Sequence, residues 1–156
     1  MASPAPGDRS GNIRIQSIVP HVPPVLSLGR LEAADEHSLT AWVEVNKDSI
    51  FCVGPDGVPV WVALEYLGQA VAALEGLRAL NEGRAVPMGY LLGTRQLETP
   101  IESFPIGAEL RIKVAEVHAS PNGLAVFDGS ISMPNVTLEC RFSVYRLLSN
   151  EDLTDG

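Results

Sequence analysis

Apolar residues along this chain switch from a two-residue period to an almost unbroken run, and then back. Leu39, Ala41, Val43 and Val45 alternate with Thr40, Trp42 and Glu44, the signature of a strand with one buried face. Upstream, Ile13, Ile15, Ile18 and Val19 give a short apolar opening. The proline-dense Pro20-His21-Val22-Pro23-Pro24 excludes regular helix, and Val25 to Leu31 reads as a strand. The loop Phe51-Cys52-Val53-Gly54-Pro55-Asp56-Gly57 leads into a helix expected from about Val58 to Glu82. Asp56 or Gly57 can cap it, and Pro59 suits its first turn, where a missing N–H costs nothing. From Val60 to Leu80 apolar and small residues run almost all the way round, so most of its surface should be buried. Gly83, after Asn81-Glu82, is a candidate left-handed C-cap.

The remainder reads as β. Met88 to Leu97, Leu110 to Ala119, Leu124 to Met133 and Val136 to Leu148 are strand candidates, separated by Pro-Ile-Gly, Pro-Asn-Gly and Pro-Asn turns. One long helix with a meander of antiparallel strands is an α+β domain. One sheet face does not cover a helix that is apolar all round, so a second subunit is a natural source of cover. Residues 1–11, rich in Pro, Gly and Ser, read as a disordered tail, 12–149 as a single domain, and the acidic 150–156 as a frayed end.

Composition narrows the partners. With 19 acidic and 11 basic residues the formal net charge is −8. Nucleic acid is not an expected partner, because phosphate binding needs a basic surface, and an anionic membrane is not favoured either. MASPAPGDRSG has no apolar run, so no secretory signal is expected, and no stretch approaches the ~20 apolar residues of a membrane span. Cys52 and Cys140 fit no metal or redox spacing, which suits reduced thiols in the cytoplasm. No metal and no cofactor are expected. Asn135-Val136-Thr137 matches a glycosylation sequon by accident if the chain is not secreted.

Glu65 is the residue a plain core does not explain. Its helical neighbours include Trp61, Val62, Leu64 and Gly68. An apolar setting favours a protonated carboxyl, which suits general acid–base work; a solvent-facing or salt-bridged interface carboxylate is an equal alternative. Gln69, one turn later, could orient Glu65 by hydrogen bond or simply mark the helix edge. Glu75 and Arg78 are expected to pair on an exposed end of the helix. Gly68, Ala70, Ala72, Ala73 and Gly76 are small, a packing feature first and a ligand path second. Of the three histidines, His37 and His118 fall in polar surroundings and read as solvated. His21 sits in a stiff proline segment with apolar flanks, where a structural role is the commoner one.

These segments resemble the β-hydroxyacyl-acyl carrier protein dehydratases of fatty acid and polyketide synthesis. The resemblance runs from about Ile18 to Leu148. Pro20-His21-Val22-Pro23-Pro24-Val25-Leu26-Ser27-Leu28-Gly29-Arg30 is similar to the family's proline-histidine opening strand, and Leu64-Glu65-Tyr66-Leu67-Gly68-Gln69-Ala70 to its central-helix motif. Tyr90-Leu91-Leu92-Gly93 and Phe104-Pro105-Ile106-Gly107-Ala108-Glu109-Leu110 resemble the following strand and its Pro-x-Gly turn. The dehydratase-like branch of aryl polyene pathways is the nearest in pattern. The resemblance implies a hotdog fold, a long central helix wrapped by a strongly curved antiparallel sheet, and a dimer with an acyl tunnel at its interface. It also implies loss of water from a 3-hydroxyacyl thioester, carried on the phosphopantetheine arm of an acyl carrier protein, to give a trans-2-enoyl thioester. Glu65 and His21 would then be catalytic. Val60, Trp61 and Val62 would present backbone amides to the thioester carbonyl, and Gln69, Tyr90 and Gly93 would line the substrate.

The chain departs from that pattern just before the helix. The family's Gly-His-Phe-Pro histidine is absent from Cys52-Val53-Gly54-Pro55-Asp56-Gly57, and Gly29 stands where aspartate is usual. His21 could supply the imidazole, a second hotdog chain in a heterodimer could supply it, or the chain could be a non-catalytic partner. Thioester hydrolysis is a further alternative, since it needs the same polarised carbonyl. Arg111, Lys113 and Arg141, or Arg84 and Arg95, are candidate contacts for an acidic carrier protein, against the plainer reading of a solvated sheet face.

Overall fold

The computed structural model describes residues 27–85, 89–94 and 97–147. Its main sheet is antiparallel, with strands β1 (Arg30–Ala34), β2 (Ser38–Glu44), β6 (Glu109–Ala119), β7 (Leu124–Met133), β8 (Val136–Arg146) and β4 (Gly89–Thr94) side by side in that order. The short strands β3 (Val58–Pro59) and β5 (Ser103–Phe104) pair apart from it. The helix α1 (Ala63–Glu82) lies against one face of the main sheet. The sheet runs open from β1 to β4 rather than closing around the helix.

Alternation decides which face meets the helix. Leu39, Ala41 and Val43 of β2, Leu110, Ile112 and Val114 of β6, Phe127 and Ile131 of β7, and Leu138, Phe142 and Val144 of β8 are buried together. Leu67 of the helix fits over Gly129, where a Cβ would stand 2.7 Å from Leu67 Cδ2. The opposite face carries polar links. Arg30 lies over the Trp42 ring, and Glu32 accepts from Trp42 Nε1 and from Arg111.

The helix starts later than the sequence pattern predicts. Gly54–Asp56 form one 3₁₀ turn, Val58–Pro59 are extended, Val60–Val62 form a second 3₁₀ turn, and α-helix begins at Ala63. Tertiary pairing is the reason. Val58 and Pro59 are drawn into a ladder with Phe104 and Ser103, and Val60 N–H donates to the Glu102 carbonyl at 2.9 Å. Gly57 permits this approach: its φ is +90°, and a Cβ there would stand 2.1 Å from the Phe104 carbonyl oxygen. The other end follows expectation. Gly83 is left-handed, with Gly83 N–H bonded to Leu80 O and Arg84 N–H to Ala79 O, which closes a Schellman cap.

Other departures are smaller. The sequence pattern predicts a strand over Val25 to Leu31; β1 instead begins at Arg30, Ser27 to Gly29 are irregular, and Val25 and Leu26 lie outside the described residues. Glu75 and Arg78 do pair, at 3.0 Å, but not on an exposed end, since Glu75 is only 4% exposed. Arg78 also donates to Glu116 and, twice, to the Glu36 carbonyl, so the turn between β1 and β2 folds over the pair. Burial works against the Arg78 charge, but Glu116 and Glu75 outweigh it and hold the guanidinium above its usual range. The tails 1–11 and 150–156 lie outside the described residues.

Candidate active site

Glu65 stands in the first turn of α1. It is half-buried, on a stripe of the helix that the described residues leave partly open. Trp61, Glu65, Gly68 and Ala72 follow each other at three- and four-residue steps along that stripe, with Leu64 beside Glu65. Trp61 is 65% exposed, and a Cβ on Gly68 would meet no atom within 4 Å. The other sides of the helix are packed, with Tyr66, Leu67, Ala70, Val71, Ala73 and Leu74 buried.

Gln69 is fully buried, and its amide is used at both ends. Nε2 donates to Glu65 Oε1 at 2.9 Å, and Oε1 accepts from the backbone N–H groups of Ser27 at 2.7 Å and Leu28 at 3.4 Å. The first of these bonds is the orientation of Glu65 that the helical spacing allowed. The second was missed: the strap leading into β1 is tied to the helix through Gln69. A signal existed, because a glutamine among apolar neighbours on a buried helix must find partners for both ends of its amide.

The other predicted site residues are spread out. Val62 is buried, and Val60 N–H is already committed to the Glu102 carbonyl, so Val60 cannot offer that amide to a substrate carbonyl in this arrangement. Tyr90 and Gly93 lie on β4, the sheet edge remote from the strap, and no hydrogen bond joins them to Glu65 among the described residues. His21 lies outside the described residues. His37 and His118 are exposed, His37 beside Glu36 and Glu116 and His118 beside Ser120. The Arg78 network that His37 borders is 13 residues along the helix from Glu65, about 20 Å at 1.5 Å per residue, too far for His37 to share protons with it. The loop before the helix offers Asp56, exposed, and Cys52, but no imidazole. Tyr66 is one residue from Glu65, yet burial, with Cys52 adding to it, pushes its phenol up to about 12, so it stays neutral and takes no part in acid–base exchange near neutrality.

The candidate carrier-protein contacts are largely neutralised. Arg111 is paired with Glu32, Arg141 with Asp128 and Arg84 with Glu82; Arg95 lies outside the described residues. The Arg111 guanidinium holds Glu32 below the usual carboxylate range, and Arg141 does the same for Asp128. Among the described residues no group of three His, Cys, Asp or Glu side chains gathers as a metal site. No described helix is long and apolar enough to cross a membrane.

A family model described as ApeP-like, ApeP dehydratase, matches residues 13–154. No curated protein matches the chain. Among solved structures, the dehydratase heterocomplex ApeI:P from Xenorhabdus doucetiae is 22% identical, with 92% of this chain and 96% of that one covered and a TM-score of 0.81. A hypothetical thioesterase with coenzyme A from Streptococcus pneumoniae is 13% identical, with 76% and 84% covered and a TM-score of 0.55. At such identities the likeness carries the fold alone. The fold is the hotdog arrangement of a long helix on an antiparallel sheet.

Proposed function

This chain belongs to the ApeP-like dehydratase family, and we propose that it eliminates water from a 3-hydroxyacyl thioester on an acyl carrier protein, working beside a second hotdog chain in aryl polyene synthesis. The observation that carries the reading is Glu65, held by Gln69 on the stripe of the helix that the chain's own sheet leaves partly open. In the elimination a base takes the C2 proton and an acid protonates the departing C3 hydroxyl. Glu65 is the acid. The base is His21 or an imidazole from the second chain, because the loop before the helix has none. The backbone amide of Trp61, at the positive end of the helix, faces the thioester carbonyl.

The test is product analysis. The purified chain, alone and with its co-purified hotdog partner, is given a 3-hydroxyacyl and a saturated acyl thioester of the same length. A trans-2-enoyl thioester from the first, with no free acid from the second, is the expected result. Free acid without enoyl product would point to hydrolysis instead.

The second chain is supported by the contrast between the two sheet edges. On β1, Arg30 and Glu32 fold back onto Trp42 and Arg111, which blunts the edge. β4 reads Gly-Tyr-Leu-Leu-Gly-Thr, with no charge and no proline, and its Tyr90 is 53% and Leu92 58% exposed. An apolar, uncharged edge of this kind invites another strand. The Xenorhabdus doucetiae relative is itself a heterocomplex, which favours an unlike partner, as does the mutual repulsion of two copies each carrying −8. Leu92→Lys is expected to disperse the assembly to single chains in sedimentation or size-exclusion measurements while the monomer still folds. An unchanged assembly would place the contact elsewhere.

A further inference from the structure

The cations that could receive an acidic carrier protein are mostly spent within this chain. Arg78, Arg84, Arg111 and Arg141 sit in ion pairs, Arg146 lies 3.6 Å from Glu75, and Arg30 lies over the Trp42 ring. Among the described residues that leaves Lys47 and Lys113. Lys113 alternates with the buried Ile112 and Val114 on β6, so it points to the outer face of the sheet, away from the helix.

The surroundings of the helix start are acidic. Two segments frame it, one leading into the helix and one leading into β6. Val58 and Pro59 pair with Phe104 and Ser103, Val60 N–H bonds to the Glu102 carbonyl, and Val45 exchanges hydrogen bonds with Ala108 and Gly107. These segments and their ends carry Glu44, Asp48, Asp56, Glu102 and Glu109, all exposed. Across residues 44–62 and 97–109 the one cation is Lys47. Glu44 and Glu109 stand directly opposite each other across β2 and β6. Like charges so placed are destabilising. Stability does not explain the pair; exclusion of a like-charged partner does. Trp61 and Val53 are exposed beside this rim, so charge and not bulk is the barrier to a protein approaching it.

We infer that the rim of the helix start repels the carrier protein, which docks on the second hotdog chain and sends only its phosphopantetheine arm to Glu65. This rests on the proposed dehydration of a carrier-borne substrate. Field lines from an acidic rim slow the encounter with an acidic partner as surely as complementary charge speeds it. The two chains then divide the work: this one holds the carboxyl, and the other receives the carrier.

The test uses the complex of this chain with its partner and two substrates, a 3-hydroxyoctanoyl group on an acidic acyl carrier protein and the same group on N-acetylcysteamine. Asp56→Lys/Glu102→Lys keeps the Glu102 carbonyl that holds Val60. At low ionic strength it should raise kcat/KM for the carrier-borne substrate about tenfold, and the gain should fade as salt is added. The small thioester should stay within about twofold of the parent. Glu36→Lys/Glu139→Lys makes an equal charge change at exposed positions, in the turn between β1 and β2 and on the outer sheet face, and should leave both substrates near parental values. An equal gain in both variants would make the effect one of net charge. A fall, or no change, in the first variant would make the rim a docking contact or a bystander. Each of these results overturns the inference. A photo-crosslinker on the carrier, beside the serine that bears its arm, should capture the second chain; capture of this chain within residues 46–57 would overturn it as well. If the parent complex forms no enoyl product from either substrate, the dehydration fails, and the crosslink alone decides where the carrier docks.

Discussion

Glu65→Gln is expected to cut the rate of enoyl thioester formation by about 10²- to 10⁴-fold, the range associated with one general acid or base. The substitution keeps the shape of the side chain and an acceptor for Gln69 Nε2, so the bond between positions 65 and 69 survives. What disappears is the exchangeable proton. Because Glu65 is half-buried on a stripe that the described residues leave partly open, the fold should tolerate the change with a loss under about 1 kcal/mol, as for surface substitutions generally. An acid acting only as the hydroxyl departs stabilises the transition state and not the bound substrate, so kcat should fall while KM holds. The measurement is steady-state kinetics on the complex, alongside thermal melting of the variant. Wild-type turnover from a complex containing Glu65→Gln would move the chemistry to the partner and make this chain the supporting subunit. A collapse in melting temperature would instead mark Glu65 as structural.

Much of this architecture is legible in the sequence because burial imposes period. The strands β2, β6, β7 and β8 lie within a residue or two of their alternating patterns, and the glycine stop of the helix is where its cap chemistry puts it. The start of the helix was not legible. Pro59 is as good at a first helical turn as in an extended pair, and the choice is made by Phe104, which is 45 residues away in sequence. The two-residue strand β5 was invisible for the same reason, since a pair that short has no period of its own. At the site, the Glu65–Gln69 bond follows from a four-residue step on a helix, but the grip of Gln69 on Ser27 and Leu28 depends on a strap 41 or 42 residues upstream. Glu75 and Arg78 show the limit from the other side. Their spacing predicts a pair, yet spacing says nothing about what covers it, and here Glu116 and the Glu36 carbonyl do.

That covered pair sets the largest stability effect. Arg78→Met is expected to cost about 3–5 kcal/mol, the range for breaking a buried ion pair by removing one partner. Arg78 donates to Glu75 Oε1 at 3.0 Å, to Glu116 Oε2 at 2.8 Å and twice to the Glu36 carbonyl, so methionine leaves two carboxylates and a carbonyl without their main donor. Among the described residues the basic groups that remain nearby are weakly placed. Arg146 Nη1 is 3.6 Å from Glu75 Oε1, and the exposed His37 is 3.8 Å from Glu116 Oε1. Among the described residues Glu75 Oε2 already has no hydrogen-bond partner, so that carboxylate has little in reserve. For a domain of this size the melting temperature should fall by roughly 10 °C or more. Arg141→Ala is the control. Its pair with Asp128 is about half exposed on each side, and such pairs are worth under about 1 kcal/mol once solvent screening is counted. Adding Glu75→Gln to Arg78→Met removes one orphaned charge and should restore part of the loss, a non-additivity readable in a double-mutant cycle. Equal, small losses for Arg78→Met and Arg141→Ala would mean that the end of the helix is held by its apolar contacts and not by this network.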